Sequence, residues 1–257
     1  MKHHPYQRHK RRHFPEVSIS ESGNIRSLHL GTDTVQSAMN LDNPSELVLS
    51  YSRAMMAWLL FTDEAQHLTH IGLGGGSMVR WLDAHFPDLH QLAIEINPKI
   101  VAVAKSMFEL PHEDENFEIV VADGAEFIRV LYGSTDVILT DGFDGEQIID
   151  DLVSEAFFAD CYHALTKNGI FATNLWSGDA RYAVFVQRLA AVFSGKILEI
   201  PAATHGNVAV LAFRNLPRGI SNHQLKQRAA QLTTATGTDF QDLFFAARAA
   251  NEQRKLW

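Results

Sequence analysis

Apolar and polar positions follow two different patterns in the first 61 residues. Three short stretches within residues 16–41 mix apolar with polar residues, and a Glu-Ser-Gly-Asn sequence separates the first two. This pattern predicts short strands, the first two joined by a hairpin turn. Residues 44–61 instead carry apolar residues at helical spacing, which predicts a mostly buried helix capped by Asn43 or Ser45.

From residue 67 onward the pattern becomes strand, loop and helix, repeated. Five runs rich in apolar and β-branched residues are each followed by a helix-like segment, and they lie at residues 67–74, 90–97, 117–123, 135–141 and 167–176. This order predicts an α/β protein with a parallel sheet covered on both faces. Two further strand-like runs, 196–203 and 207–214, are so close in sequence that they must form an antiparallel pair.

Composition and charge narrow the function classes. The 257 residues are 46% hydrophobic and 20% charged, and no apolar run reaches the ~18 residues that cross a membrane, so no membrane partner is expected. The first 15 residues hold five basic and no acidic side chains, which leaves 17 basic and 30 acidic residues in the remainder. An acidic body makes a nucleic-acid partner unlikely and suits a cationic substrate. The single cysteine, Cys161, fits a reducing compartment, so a cytoplasmic protein is predicted.

A glycine-rich segment follows the first predicted strand of the α/β part. It contains Gly72, Gly74, Gly75 and Gly76, with Ser77 directly after them. In an open α/β sheet, ligands bind beyond the carboxyl ends of the strands, and glycines there allow a close approach of the main chain. These five residues are therefore candidate contacts of a nucleotide-like ligand, although glycine turns are also common in structural loops.

Acidic residues follow the next three predicted strands. Glu95 ends the second strand and suits two ribose hydroxyls, while Asp123, beside the main chain of Gly124–Ala125, suits an adenine amino group. Asp141 ends the fourth strand, and Asp144 follows three residues later. Each of these acids could instead cap a helix. Together they fit an adenosine bearing a sulfonium group better than NAD, which needs a phosphate site.

With these residues the chain resembles the polyamine-synthase branch of the S-adenosylmethionine-dependent, methyltransferase-like fold, namely spermidine synthase and its relatives. The likeness extends over about residues 16–215, and its matching pieces are GTDTVQ, the helix with Tyr51, GLGGGS, IEIN, VVADGAEF and TDGFDG. The D-x-x-D of Asp141 and Asp144 is the most family-specific of them. The resemblance implies a Rossmann-like, methyltransferase-type, seven-stranded sheet with its last strand antiparallel, a small N-terminal β-extension, and assembly as a homodimer.

The resemblance also implies an activity. The family transfers an aminopropyl group from decarboxylated S-adenosylmethionine to putrescine or a similar small amine. By this likeness Asp141 is the catalytic base, Asp144 and Tyr51 hold the amine, and Gln36 contacts the nucleoside or its sulfonium chain. Neither the histidines nor the cysteine shows the spacing of a zinc site, so no metal is expected.

Some positions depart from the family pattern and leave alternatives open. Ser77 stands where the family has an aspartate after its glycines, and Ser52 and Arg53 replace the His-Glu that follows the family's tyrosine. Arg53 could pair with the carboxylate of intact S-adenosylmethionine, which would indicate a methyltransferase, or it could pair elsewhere. A catalytically silent nucleoside-binding relative is a third possibility. Trp176 is a candidate pocket wall or core residue, and His205 a candidate crevice or turn residue.

These patterns divide the chain into four predicted parts. They are a disordered basic tail, small N-terminal strands with a helix, a Rossmann-like catalytic domain and a C-terminal helical tail, at residues 1–15, 16–62, 63–220 and 221–257.

Overall fold

The computed structural model describes residues 14–143, 148–217 and 220–254. The predicted basic tail therefore lies outside the described residues except for Phe14 and Pro15, and the predicted site residue Asp144 lies outside them as well.

Three antiparallel strands form a small N-terminal sheet. In spatial order they are β1 (Val17–Ser22), β2 (Ile25–Leu30) and β3 (Val35–Asn40). The buried side chains of Leu28 and Met39 pack on Phe108 of the α/β part. The predicted small β-extension is confirmed. Its buried face packs against the α/β part of the chain.

Seven strands form the large sheet. They are β4 (His67–Ile71), β5 (His90–Glu95), β6 (Phe117–Val121), β7 (Thr135–Thr140), β8 (Leu165–Trp176), β9 (Ile197–Pro201) and β10 (Asn207–Phe213). Their order is β6-β5-β4-β7-β8-β10-β9, and β10 runs antiparallel to both of its neighbours. This confirms the predicted methyltransferase-type sheet with an antiparallel last strand. The strand order reverses between β4 and β7, which places the ligand crevice there.

Helices cover both faces of the large sheet. They are α1 (Ser50–Met55), α2 (Ser77–His85), α3 (Pro98–Met107), α4 (Gly124–Phe127), α5 (Glu155–Ala164), α6 (Tyr182–Val192), α7 (Asn222–Thr236) and α8 (Phe240–Ala250). Within the strands, Leu139 and Ala172 face a core that includes α1, α7 and α8, whereas Ile138 and Phe171 face a core with α5 and α6. Because both faces are buried, these strands read as continuous apolar runs.

The helix predicted over residues 44–61 is shorter than expected. α1 begins only at Ser50, continues as a 3-10 helix over Met56–Leu60, and has Leu49 rather than Asn43 or Ser45 at its N-cap. The preceding main-chain oxygens are not used by helical hydrogen bonds. Arg53 instead donates to the oxygens of Leu47 and Val48. These side-chain bonds hold the residues before α1 in a non-helical conformation that the apolar spacing alone does not predict.

The C-terminal helices belong to the core. α7 and α8 bury Leu225, Ala229, Phe240 and Phe244 on the same face of the sheet as α1. Beyond α8, the amide of Asn251 bonds to both main-chain groups of Glu199 in β9. None of the described helices is both long enough and apolar enough to span a membrane.

Candidate active site

A large cavity lies at the carboxyl ends of the parallel strands, where the strand order reverses. Its walls come from the N-terminal sheet, the start of α1, and residues at or after the ends of β4, β5, β6, β7 and β8. Its volume is about 1140 Å³. Single-ligand pockets usually measure about 300–1,000 Å³, so this cavity has room for two small substrates side by side.

The cavity has one sign of charge. Four carboxylates line it, from Glu95, Asp123, Asp141 and Asp151, and no lysine or arginine among residues 14–143, 148–217 and 220–254 does so. An acidic, partly enclosed cleft concentrates cations and disfavours phosphates and carboxylates. The chemistry of the walls therefore favours positively charged ligands.

At Gly72, the first glycine of the loop after β4, the main chain packs directly against that of Asp141. Gly72 has φ 91°, and a Cβ atom added to it would overlap the main-chain oxygen of Asp141. The main-chain amide of Gly72 donates to the main-chain oxygen of Ile94 at 2.9 Å. The main-chain amide of Asp141 donates to the main-chain oxygen of Ile71, also at 2.9 Å. Gly72 and Gly74 both line the cavity, so this part of the loop offers bare main chain to a ligand.

The other two glycines are placed behind the cavity wall, which differs from the predicted contact role. A Cβ on Gly75 would lie 2.8 Å from Ser37 Oγ and 2.9 Å from the Phe108 ring, and one on Gly76 would overlap Leu110. Gly76 also has φ 70° at the N-cap of α2. Their small size therefore serves the packing of the loop against the N-terminal sheet and α3.

A buried arginine, Arg80, hydrogen-bonds to the main chain of the glycine loop. Arg80 is only 4% exposed. Its Nε donates to the oxygen of Pro44 at 2.8 Å, and its Nη1 donates to the oxygens of Gly75 and Phe108. Burial lowers the pKa of Arg80 to about 10, and the charge of Glu109 opposes this. One guanidinium thus ties three separate segments together around the loop.

Glu95 stands at the end of β5 with both oxygens in use. Its Oε2 accepts from the amide of Leu73 at 2.9 Å, and its Oε1 accepts from that of Asn97 at 2.8 Å. Burial raises the pKa of Glu95, and these main-chain donors oppose the rise. Each carboxylate oxygen has a second lone pair. Glu95 can therefore shape the glycine loop and still accept from hydroxyls of a ligand.

Asp123 performs the capping role that sequence reasoning had weighed against ligand binding. Its Oδ1 accepts from the amide of Ala125 at 2.9 Å and caps α4. Asp123 and Gly124 line the cavity, whereas Ala125 packs against the core beneath α5. A Cβ on Gly124 would lie 2.5 Å from the Ile71 side chain, which explains the glycine. Asp123 thus caps α4 from a position on the cavity wall.

Tyr51 lies beside both Asp141 and the main chain of Gln36 on the cavity wall. Burial raises the pKa of Asp141, and hydrogen bonds from Asn174 and Tyr51 oppose the rise. The pKa of Tyr51 is raised well above its usual value by burial first and by the charge of Asp141 second. The Tyr51 hydroxyl has one proton, which it donates to the main-chain oxygen of Gln36 at 3.0 Å or to Asp141.

Two asparagines beside Asp141 were not found by sequence reasoning. Asn174 Nδ2 donates to Asp141 Oδ1 at 3.0 Å, and Asn207 Nδ2 donates to Asn174 Oδ1 at 3.0 Å. Both line the cavity, and Asn174 is 2% exposed. A polar residue near the end of an otherwise apolar, doubly covered strand was the signal that could have indicated Asn174.

The three residues that depart from the family pattern, Ser77, Ser52 and Arg53, do not share one environment. Ser77 is the first residue of α2 and lines the cavity. The Ser52 hydroxyl donates to the oxygen of Leu49 at 2.7 Å, and Arg53 donates to oxygens of the same segment, so neither side chain reaches the cavity. Arg53 therefore pairs elsewhere than in the cavity, the second of the alternatives that its position leaves open.

Trp176 and His205 stand together at the cavity mouth. Trp176 is 47% exposed, and its Nε1 donates to the main-chain oxygen of His205 at 3.1 Å. His205 occupies a turn position with φ 68° and also lines the cavity. Trp176 is thus a wall residue, and His205 combines the turn and crevice positions. Within the described residues, no three His, Cys, Asp or Glu side chains cluster as metal ligands.

Known proteins resemble this chain in sequence and in fold. Residues 48–187 match the sequence profile of the spermine/spermidine synthase domain. The polyamine aminopropyltransferase of Neisseria meningitidis is 60% identical over 254 residues, 98% of this chain and 97% of that protein. The polyamine aminopropyltransferase of Chromobacterium violaceum is 52% identical over 253 residues, 97% of each. The crystal structure of a probable spermidine synthase from Corynebacterium glutamicum superposes with a TM-score of 0.70 at 16% identity, over 87% of this chain and 91% of that one, a likeness of fold.

Proposed function

Because this chain belongs to the spermine/spermidine synthase family, we propose that it transfers an aminopropyl group from decarboxylated S-adenosylmethionine to a short aliphatic amine such as putrescine. The observation that carries the proposal is the charge of the cavity, with four lining carboxylates and neither lysine nor arginine among its described lining residues. Both proposed substrates are cations. Loss of the donor's carboxylate removes the one group that such a cavity would repel.

The donor lies along the loop after β4 in this proposal. Gly72 and Gly74 allow the nucleoside to approach the main chain, and Glu95 accepts from its ribose hydroxyls. Asp123 and the main chain of Gly124 face the adenine. Gln36 contacts the nucleoside or its sulfonium chain, and the Ser77 hydroxyl lies where it can accept from the ammonium of the donor's propyl chain.

Asp141 is the proposed base. An alkyl amine has a pKa near ~10 and is protonated at neutral pH, so it needs to lose a proton before it can act as a nucleophile. Asp141 takes that proton, and the amine nitrogen forms a bond to the carbon next to the sulfonium. The carbon–sulfur bond breaks, its electron pair returns to sulfur, and neutral methylthioadenosine leaves. Alignment of the two substrates by the cavity walls supplies much of the remaining rate gain.

The amine is held by the groups around Asp141. Tyr51 offers a hydroxyl next to the reacting nitrogen, and its high pKa keeps it protonated, so it can donate or accept a hydrogen bond but carries no charge. Asp144, outside the described residues, is assigned to the same substrate by its place in the D-x-x-D. Trp176 presents an aromatic face at the mouth, a surface that suits an ammonium group.

The alternative donor, intact S-adenosylmethionine, has no described residue to favour it. Its carboxylate would enter a cavity lined by carboxylates, and Arg53 is committed to main-chain oxygens outside that cavity. We also propose a homodimer and a cytoplasmic location. The family resemblance supports the dimer.

A transfer assay with two donors tests the proposal. Purified protein is incubated with putrescine and either decarboxylated or intact S-adenosylmethionine, and mass spectrometry measures methylthioadenosine and the enlarged amine. We expect transfer from the decarboxylated donor alone, and a loss of about 10²-fold or more in Asp141→Asn. Asp83→Asn, an exposed change on α2, is the matched control that keeps full activity. A methylated amine would indicate a methyltransferase, and donor binding without turnover would indicate a silent relative.

A further inference from the structure

Two asparagines connect the end of β10 to the carboxylate of Asp141. Asn207 Nδ2 lies 3.0 Å from Asn174 Oδ1, and Asn174 Nδ2 lies 3.0 Å from Asp141 Oδ1. In the β8–β10 ladder Asn174 pairs with Ala209, so Asn207 is its diagonal neighbour on the same face of the sheet. The two amides thus form a head-to-tail chain, here called the amide relay.

Hydrogen-bond chemistry determines which group of each amide in the relay donates and which accepts. An ionised carboxylate can only accept hydrogen bonds, so Asn174 needs to present its NH₂ group to Asp141. The oxygen of Asn174 then faces Asn207, which needs to supply a donor. Asn174 is 2% exposed, so bulk water does not offer that donor in its place. Asn207 therefore supplies the donor that the Asn174 oxygen needs while the Asn174 NH₂ group faces Asp141.

We propose that Asn207 is a positioning residue that keeps Asp141 ionised and correctly oriented for proton removal by fixing the orientation of Asn174. This inference rests on the proposed function, in which Asp141 is the base. Without a donor at position 207, the Asn174 amide can turn over and present its oxygen to Asp141. That arrangement favours the protonated carboxyl group, which can donate to the amide oxygen but cannot accept a proton from the amine.

Other titratable groups also face this region and are held constant in the test. From the described elements they are Tyr51 of α1, Glu95 of β5, Asp123 at the start of α4, Asp151 after the segment 144–147, and His205 in the β9–β10 turn. Among the described residues, Asn174 and Tyr51 are the ones that hydrogen-bond to the Asp141 carboxylate and oppose the effect of its burial on its pKa. The relay therefore acts through one of two direct donors.

Three variants separate the relay from simpler effects. Asn207→Leu removes the donor without adding charge. Asn207→Asp replaces the donor with an acceptor and so reverses the relay. Ser177→Asp adds the same charge at the exposed end of β8, where the serine hydroxyl donates to the main-chain oxygen of Gly206 and does not touch Asn174. Thermal unfolding identifies any variant that fails to fold, and either Asn207 variant alone then carries the test.

Two readouts are measured for each variant. One is the acidic limb of the pH profile of kcat/KM for aminopropyl transfer. The other is the titration of Asp141 in protein labelled with ¹³C at the aspartate carboxyl carbons, with the signal assigned from Asp141→Asn. We expect the Asp141 titration to move upward by about one pH unit in Asn207→Asp and by a smaller amount in Asn207→Leu, with little change in Ser177→Asp. The KM for the donor stays as in the parent protein.

Two results would overturn the relay. One is an Asp141 titration that is unchanged in Asn207→Leu, and the other is a shift in Ser177→Asp as large as that in Asn207→Asp, which would indicate charge alone. The NMR titration does not depend on turnover. A parent protein that transfers no aminopropyl group would therefore defeat the proposed function while the relay is still tested.

Discussion

Gly72 and Asp141 touch main chain to main chain at the point where the strand order reverses. A Cβ atom on Gly72 would overlap the main-chain oxygen of Asp141, whose amide is fixed 2.9 Å from the oxygen of Ile71. The loop that is proposed to bind the aminopropyl donor and the proposed base, Asp141, therefore pack directly against each other through their main chains. A change in the loop must move the base, because the obstacle is main chain and cannot rotate away.

Gly72→Ala is expected to damage stability and donor binding together. Positive φ alone costs a non-glycine residue about 1–2 kcal/mol, and the overlap with Asp141 adds to this, for a total of about 3 kcal/mol or more. Gly133→Ala is the matched control, since Gly133 has φ 61° and open space around its Cβ position. Urea unfolding and calorimetric titration with decarboxylated S-adenosylmethionine measure the two effects. Equal losses in both variants would show that the contact with Asp141 does not matter.

Asp141→Asn is expected to stabilise the fold while it removes activity. Burial raises the pKa of Asp141, so the native state binds this proton more tightly than the unfolded state does. Stability contributed by Asp141 is then present at low pH and is lost as the pH rises through its native pKa. The Asn variant should therefore melt at a higher temperature than the parent at pH 8, and the gain should shrink toward pH 4.

Asp179→Asn is the control of opposite sign for the same measurement. Hydrogen bonds from Arg181 lower the pKa of Asp179, so its stabilising effect is present at neutral pH and is lost as the pH falls through its native pKa. Asp179→Asn should melt lower than the parent at pH 8 and equal to it in strong acid. If Asp141→Asn melted lower than the parent at pH 8, as Asp179→Asn is expected to do, the argument for Asp141 would be wrong.

Arg80→Met is expected to loosen the donor loop. Methionine keeps an unbranched apolar stem, but it leaves the oxygens of Pro44, Gly75 and Phe108 without their shared donor. The expected cost is about 3 kcal/mol of unfolding free energy, with a larger rise in the donor's KM than fall in kcat. Arg80→Lys, which keeps a donor, should recover part of both. An unchanged donor KM in Arg80→Met would contradict a supporting role under the loop.

Arg53→Ala is expected to leave the choice of donor unchanged. Arg53 bonds to the oxygens of Leu47 and Val48 and does not line the cavity, so its loss should cost about 1 kcal/mol of stability only. Calorimetric titration with both donors should give the same preference in the variant and the parent. Preference for intact S-adenosylmethionine that disappears in Arg53→Ala would restore the methyltransferase alternative.

Asn251→Ala is expected to destabilise the protein without affecting turnover. The Asn251 amide satisfies both main-chain groups of Glu199, on the strand at one edge of the large sheet. We expect a loss of about 2 kcal/mol, because buried main-chain groups lose their partners. Asn215→Ala removes an exposed asparagine with one main-chain bond to Lys167 and should cost less than about 0.5 kcal/mol. A lower kcat in Asn251→Ala would mean that the C-terminal helices influence the cavity.

The sequence by itself determined the class of sheet and most of the cavity's chemistry. Buried strands read as continuous apolar runs, and the short link before residue 207 permits only an antiparallel pair, so local pattern sufficed. Parallel strands also bring their carboxyl ends to one edge, which is why Glu95, Asp123 and Asp141 could be predicted to share a cleft from their positions after strands.

Only the tertiary structure decided how individual side chains are used. Arg80 bonds to main-chain oxygens of Pro44 and Phe108, 36 and 28 residues away in sequence, which no local pattern records. The pairing of Asn174 with Asn207 depends on the register of β8 against β10. Hydrophobic periodicity fixes which face of an element is buried, but the partner of a buried polar group is set by chain segments that are distant in sequence and adjacent only after folding.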